Sequence, residues 1–223
     1  MENAVKASEP FRFYTRMYLT GITGLYARSL KELGALMRIV PGSCIYHHTH
    51  RFLQQHQYLS PEPPNDFAYW VSNVLGEREL GERLYSIDTM QFASISALRD
   101  ELASTIDGYL NRRRLARSRK TGREEAFYFM KSISFVLPTD HVADDLRSFV
   151  EILKKITVDS IYFHIFESRL RLGRGMNDFS NWIGASIGDK ALAAEISKLD
   201  PYTHTLEELR TILIRLIERK VAG

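Results

Sequence analysis

The amino-acid sequence repeats itself, and this repetition constrains the fold more than any other feature of the chain. A first block of residues recurs without a gap at a constant spacing of 116 residues, and a second block recurs at a spacing of 112 residues. Chance does not place so many aromatic and polar residues in the same order twice. In the first block, Phe11, Phe13, Thr23, Ala27, Leu30, Ile45, Tyr46 and His48 return as Phe127, Phe129, Thr139, Ala143, Leu146, Ile161, Tyr162 and His164. In the second block, Asn65, Asp66, Phe67, Trp70, Gly76, Leu80 and Asp88 return as Asn177, Asp178, Phe179, Trp182, Gly188, Leu192 and Asp200.

The repetition predicts a pseudo-twofold tandem duplication of a helical unit. The first repeat is expected at residues 10–110 and the second at 124–218, with a basic connector at 111–123. Two such repeats would pack against each other much as the subunits of a homodimer do. We therefore expect one compact body rather than two separate domains.

Each repeat is predicted to be mostly α, or α+β at most, with one short strand at its N-terminus. Alternating apolar residues run from Phe11 to Leu19 and again from Phe127 to Phe135, as they do in a strand. Downstream, the apolar residues take helical spacing. Asn65 and Asn177 are predicted to begin helices, because a side-chain oxygen at this position accepts hydrogen bonds from free backbone amides. These helices should end near Gly76 and Gly188.

The composition is that of a folded, soluble protein. Hydrophobic residues make up 44% of the chain, with 12 Phe and 11 Tyr, so that there is ample material for a core. A lone Cys44 cannot form an intramolecular disulfide. We find no signal peptide, and no apolar run approaches the roughly 18 residues that span a bilayer. The expected location is the cytoplasm, with no membrane span.

Positive charge is concentrated in one segment. Seven basic residues lie between Asn111 and Glu124, although the net charge of the whole chain is only +3. Such a segment is able to neutralise phosphates, but it lacks the interleaved aromatic residues that stack on bases. A solvated connector whose charges pair with Glu77, Glu79 and Glu82 is favoured, and nucleic acid is not expected as a partner. The candidate phosphate-binding residues are Arg112, Arg113, Arg114 and Arg117.

A histidine-rich stretch in the first repeat forms the only local group of candidate metal ligands. His47 and His50 are three residues apart and share one face of a helix, which suits a transition metal if further ligands come from elsewhere. His56 follows nearby. The second repeat carries Phe163 and Phe166 where the first carries His47 and His50, so a metal is kept only as an alternative and no cofactor is expected.

The histidines that recur in both repeats have a different interpretation. His48 and His164 each precede an Asn-Asp helix start, and a hydrogen bond from the imidazole to Asn65, Asp66, Asn177 or Asp178 would fix one helix against the next. The functional alternative makes each histidine a general acid or base that the aspartate orients. The candidate ligand or partner residues are Tyr46, His48, Asn65, Asp66, Tyr69, Tyr162, His164, Asn177 and Asp178. Trp70 and Trp182 are predicted to pack in the core.

The repeated motifs resemble a prokaryotic family named domain of unknown function 5752, here in two copies. The resemblance rests on Phe-x-Phe, Tyr-x-His and Asn-Asp-Phe-x-x-Trp, which occur as Phe11-Arg12-Phe13, Tyr46-His47-His48 and Asn65 to Trp70, and again in the second repeat. It covers nearly the whole chain but implies no reaction and no catalytic residues. The family is associated with genes for sugar-handling enzymes, such as glycosyltransferases and trehalose synthases.

Two functions remain open from the sequence. The favoured one is a module that binds a protein partner or small ligand and regulates it, with a link to carbohydrate metabolism. The alternative is a metal-dependent or acid-base enzyme that uses His47, His48 and His50.

Overall fold

The computed structural model describes residues 6–54, 65–168, 176–199 and 203–221, without the side chains at positions 52–54, 90 and 114. Two long strands, β1 (Lys6–Ala27) and β2 (Phe127–Asp145), pair in a two-stranded antiparallel sheet. The described residues divide into two compact units, and each unit takes part of both strands. We call them the N-unit (18–54 and 65–133) and the C-unit (6–17 and 134–221).

The helices of the N-unit follow the first strand in sequence. They are α1 (Leu30–Ile39), α2 (Gly42–Gln54), α3 (Asp66–Tyr69), α4 (Arg78–Tyr85) and α5 (Ile95–Arg112). A π-helical segment, Trp70–Val74, continues α3, and short 3-10 turns occupy Thr89–Gln91 and Arg114–Arg117. Phe127 and Phe129 of β2 are buried in the same apolar core as α1 to α5.

The helices of the C-unit follow the second strand. They are α6 (Leu146–Leu153), α7 (Val158–Tyr162), α8 (Asp178–Trp182), α9 (Lys190–Ser197) and α10 (Leu206–Val221). π-helical segments continue α7 at Phe163–Glu167 and α8 at Ile183–Ile187. Phe11 and Phe13 of β1 contact Phe149 of α6, with ring centroids 5.4 and 5.1 Å apart. No helix in the described ranges has the length and apolar character to cross a membrane.

The fold-class prediction was wrong in its strands and in its symmetry. The mostly helical content agrees with the structure, but the predicted pseudo-twofold duplication with one short strand per repeat is not shown; two long strands are present instead. Both strands are longer than the alternating segments from which they were predicted. Their C-terminal parts contain glycines or apolar residues on both faces, so the alternation of apolar and polar residues that identifies a strand is lost there. Thr23 donates its hydroxyl hydrogen bond to the Phe129 carbonyl, and Thr139 to that of Phe13. The repeat boundaries at 10–110 and 124–218 stay a prediction.

The predicted helix starts and stops are present. Asn65 caps α3 and Asn177 caps α8, each accepting a hydrogen bond from the backbone amide three residues later. Gly76 and Gly188 have φ values of 70° and 86°, a region that favours glycine and ends the helix. Ser94 caps α5 in the same way.

A close contact between α4 and the π-helical segment of the N-unit depends on a glycine. A Cβ atom on Gly81 would lie 2.6 Å from the Cβ of Ser72, which is too close. In the C-unit, α9 contacts the π-helical segment Ile183–Ile187, and here the glycine lies in the π-helical segment instead of in the α-helix. A Cβ atom on Gly184 would lie 3.3 Å from the Cβ of Ala193 in α9. Each contact therefore carries one glycine, but on opposite partners.

This contact predicts that a substitution at Ser72 compensates for the loss of stability caused by a substitution at Gly81. Gly81→Ala should lower the free energy of unfolding by about 1 to 3 kcal/mol, because the added methyl group overpacks the contact. Ser72→Gly in the same chain removes the opposing Cβ and should recover at least about 1 kcal/mol of that loss. Urea denaturation of the single and double variants measures the coupling, and strictly additive effects would contradict it.

Candidate functional site

His164 of the C-unit is buried and makes a hydrogen bond through each ring nitrogen. Its Nδ1 lies 2.8 Å from Oδ2 of Asp178, and its Nε2 lies 2.9 Å from the backbone nitrogen of Tyr14. Since the Tyr14 amide is a donor, Nε2 accepts and the ring proton sits on Nδ1, which donates to the Asp178 carboxylate. The imidazole thus joins β1 to the start of α8.

The same arrangement occurs in the N-unit. His48 Nδ1 lies 2.8 Å from Asp66 Oδ2, and its Nε2 accepts from the backbone amide of Met130 at 2.9 Å. The hydrogen bond predicted from imidazole to aspartate is therefore present in both units. The two aspartates differ in exposure, because the Asp66 side chain is 64% exposed and that of Asp178 only 20%.

Both predicted asparagines are buried caps. Besides capping α3, Asn65 donates its amide hydrogen bond to the Leu84 carbonyl at 3.1 Å, and Asn177 donates to Ile196 at the same distance. The side chains hold two helices together in each unit, so their contacts are those of structural residues.

The two tryptophans pack in the cores, as predicted. Trp182 is 6% exposed and its indole N–H donates to the Glu9 carbonyl at 2.7 Å, while Trp70 donates to Glu125 at the same distance. Neither ring presents an open face for stacking.

The three candidate tyrosines have different surroundings. Tyr162 is fully buried and stacks on Phe166, with centroids 4.9 Å apart. Tyr46 is partly buried and stacks on His50, with centroids 5.3 Å apart and parallel rings. Tyr69 is 54% exposed, three residues after Asp66, and is the one of the three that is available to a partner.

The candidate metal ligands make contacts of their own in the N-unit. His47 has Ser132 Oγ at 3.1 Å from Nδ1 and an Arg51 nitrogen at 3.3 Å from Nε2. The hydroxyl of Thr49 lies 2.6 Å from His50 Nδ1. Burial lowers the pKa of both His47 and His50 to about 4. Within the described ranges no group of three His, Cys, Asp or Glu residues is placed to hold a metal, and His56 lies outside those ranges.

Most of the described cations of the connector contact acidic side chains or carbonyl groups of the N-unit. Arg113 pairs with Glu79 at 3.0 Å, and Arg119 pairs with Glu77 at 3.1 Å, two of the three partners predicted for this segment. Arg117 donates to the Leu110 carbonyl at 3.0 Å. Arg112 lies at the rim of a depression of about 530 Å³ between α4 and α5. The side chain of Arg114 is outside the described residues.

A groove of about 820 Å³ opens over the His164 and Asp178 pair of the C-unit. One wall is the start of β1, and the other is α8 with its π-helical continuation. Besides His164, the polar residues of its lining are Glu9, Arg12, Tyr14, Asp178, Asn181 and Ser186, and its apolar walls include Val136, Phe163 and Trp182. This is where a predicted pair, His164 and Asp178, meets a cavity able to hold a small molecule.

Sequence reasoning missed five polar residues of the groove. Arg12 and Asn181 occupy variable positions within the repeated motifs, whereas Glu9, Tyr14 and Ser186 lie outside them. One signal was available for Asn181, since Tyr69 stands at the same place after Asp66. A position that differs between two otherwise similar motifs is a candidate for a function that only one of them has.

The fold and these contacts define a mostly helical protein built on a two-stranded antiparallel sheet. The chain belongs to the family of unknown function DUF5752, whose model matches residues 8–218. Among solved structures, that of OrfY from Thermoproteus tenax is similar over 98% of each chain, with a TM-score of 0.80 and 28% sequence identity. No curated protein matches the sequence.

Proposed function

We propose that the chain is a binding and regulatory module whose C-unit groove takes a small polar ligand. The observation that carries this proposal is the position of Asp178. Its carboxylate borders the groove and is held in one orientation by His164, which is held in turn by the Tyr14 amide. A carboxylate fixed in this way is pre-organised to accept hydrogen bonds from a ligand.

The histidine geometry supports binding over acid-base catalysis. A general acid or base needs a ring nitrogen within reach of the substrate. Both nitrogens of His164 and of His48 have protein partners, and both rings are buried. The enzyme alternative therefore requires one of these hydrogen bonds to break first.

The charges of the groove favour a neutral, hydroxyl-bearing ligand. Glu9 and Asp178 supply two carboxylates against the single guanidinium of Arg12, which disfavours phosphorylated compounds. Asn181 and Ser186 add groups that donate and accept, as hydroxyl recognition requires. With both tryptophans buried, recognition would rest on hydrogen bonds rather than on stacking. The association of the family with sugar-handling genes supports a sugar as the ligand and a carbohydrate-processing enzyme as the protein partner.

The test exchanges the residues at two equivalent positions, Asn181 of the C-unit and Tyr69 of the N-unit. Glucose, trehalose and UDP-glucose are titrated into the full chain and into each variant by calorimetry. We expect a neutral sugar to bind and Asn181→Tyr, which fills the groove, to weaken that binding by at least about tenfold. Tyr69→Asn on the N-unit is the matched control and should bind like the unaltered chain. Affinity unchanged in Asn181→Tyr would contradict a ligand site in the groove, and a panel without binding would contradict the sugar class.

A further inference from the structure

The part of β2 that belongs to the C-unit exposes apolar side chains on both of its faces. Phe135, Val136 and Leu137 are consecutive in β2 and are 49%, 45% and 40% exposed. Successive side chains of a strand point to opposite faces, so this segment leaves apolar surface exposed on both faces. Met17, in the β1 part of the same unit, adds a further exposed side chain at 53%.

The segment lies at a sheet edge. On the other side of the sheet, Tyr14 of β1 donates its amide to His164 and accepts at its carbonyl from the Ser160 hydroxyl at 2.6 Å. Helical residues thus occupy the outer edge of β1. The sheet has two strands, and no third strand among the described residues extends it beyond β2.

The usual protection of an edge strand is weak here. Native edges carry charged residues, bulges or proline, which prevent pairing with another chain. Residues 132–139 of β2 contain no charged side chain, and only Pro138 interrupts the row of backbone donors. By contrast, β1 contains Gly24 with a φ of 78°, a conformation that breaks the regular edge.

We propose that residues 134–138 of β2 pair antiparallel with the same segment of a second copy of this chain, with Phe135 at the centre. A twofold axis through the pair makes the interface self-complementary. The charges at the two ends of the segment favour a second copy of this chain as the partner and an antiparallel direction of pairing. Lys131 precedes the uncharged segment and Asp140 follows it, so antiparallel pairing brings the basic end of one copy to the acidic end of the other.

The backbone donors of β2 explain why Phe135 lies at the centre of the paired segment. Pro138 has no N–H and cannot donate to a neighbouring strand, which limits the pairing at that end. Centring on Phe135 keeps the amides of Ser134 and Val136 within the paired region. It also brings the two Phe135 side chains next to each other across the twofold axis.

The test is the mass of the full chain in solution, measured by light scattering from low micromolar to several hundred micromolar concentrations. We expect a dimer, and we expect Phe135→Lys to raise its dissociation constant by at least about a hundredfold, because two ammonium groups would face each other at the centre. Ile22→Lys is the matched control, since Ile22 is an 80% exposed apolar residue of β1. It should leave the dimer intact.

A second measurement does not depend on adding a charge. Phe135→Cys, made together with Cys44→Ser, should form an intermolecular disulfide on mild oxidation, whereas Ile22→Cys in the same background should not. A monomer at every concentration would overturn the proposal. So would a dimer whose mass is unchanged in folded Phe135→Lys, or a disulfide that forms equally well at position 22.

Discussion

Replacing His164 by phenylalanine should lower the free energy of unfolding by about 2 to 4 kcal/mol. The ring shape is retained among its neighbours Phe11 and Phe179. What is lost is the acceptor for the partly buried Tyr14 amide and the donor to Asp178, and a backbone amide left without a partner in the protein interior is costly. Urea denaturation followed by circular dichroism measures the change.

Two smaller substitutions separate the contributions of the two ring nitrogens. Glutamine places an amide oxygen near the Nε2 position and can accept from Tyr14, whereas asparagine reaches only the Nδ1 position and can donate to Asp178. We expect His164→Gln and His164→Asn each to lose less stability than His164→Phe. His141→Phe, at a partly exposed position of β2, is the control and should change stability by no more than about 0.5 kcal/mol. Equal stability of His164→Phe and the unaltered chain would show that the two hydrogen bonds do not support the fold.

Acid should destabilise the protein before its carboxylates titrate. Burial lowers the pKa of His50 from 6.5 to about 4. Between these values the unfolded chain binds more protons than the folded one, so stability is fully present above about pH 7 and falls as the pH drops towards 4. The loss from His50 amounts to about 2 kcal/mol at pH 5. Urea midpoints between pH 8 and pH 5 test this.

The C-unit supplies the variant that removes this dependence. Ile165 and Phe166 stand there at the place of Thr49 and His50, and Phe166 stacks on Tyr162 as His50 stacks on Tyr46. Thr49→Ile with His50→Phe keeps the stacked pair and removes the titrating ring. We expect this double variant to lose about 2 kcal/mol less than the unaltered chain between pH 8 and pH 5, while Thr49→Ile alone keeps the full dependence. The same pH dependence in the double variant would exclude His50 as its source.

Local features of the fold were predictable from the sequence, because their causes are local. A helix cap such as Asn65 or Asn177 acts on amides three residues away, and a glycine such as Gly188 ends a helix through its own φ value. The contact between His164 and Asp178 also spans a short distance along the chain.

The rest depended on contacts that no short window of sequence contains. The second nitrogen of His164 finds its partner 150 residues away, at Tyr14. Predicting that β1 would be shared by both units required knowledge of where its two halves pack. The groove was missed for the same reason, since Arg12 and Asn181 meet only after β1 is placed beside α8.

The shared strands also bear on the order in which the protein can fold. The C-unit needs residues 6–17, which are synthesised before the whole N-unit, and α10, which is synthesised after every other described helix. Its hydrogen bond from Trp182 to Glu9 joins residues 173 positions apart. Contacts of such sequence separation form slowly, and residues 6–17 are synthesised long before the helices on which they pack. The N-unit needs nothing beyond residue 133, and during synthesis it can therefore be complete while the helices of the C-unit are still being made.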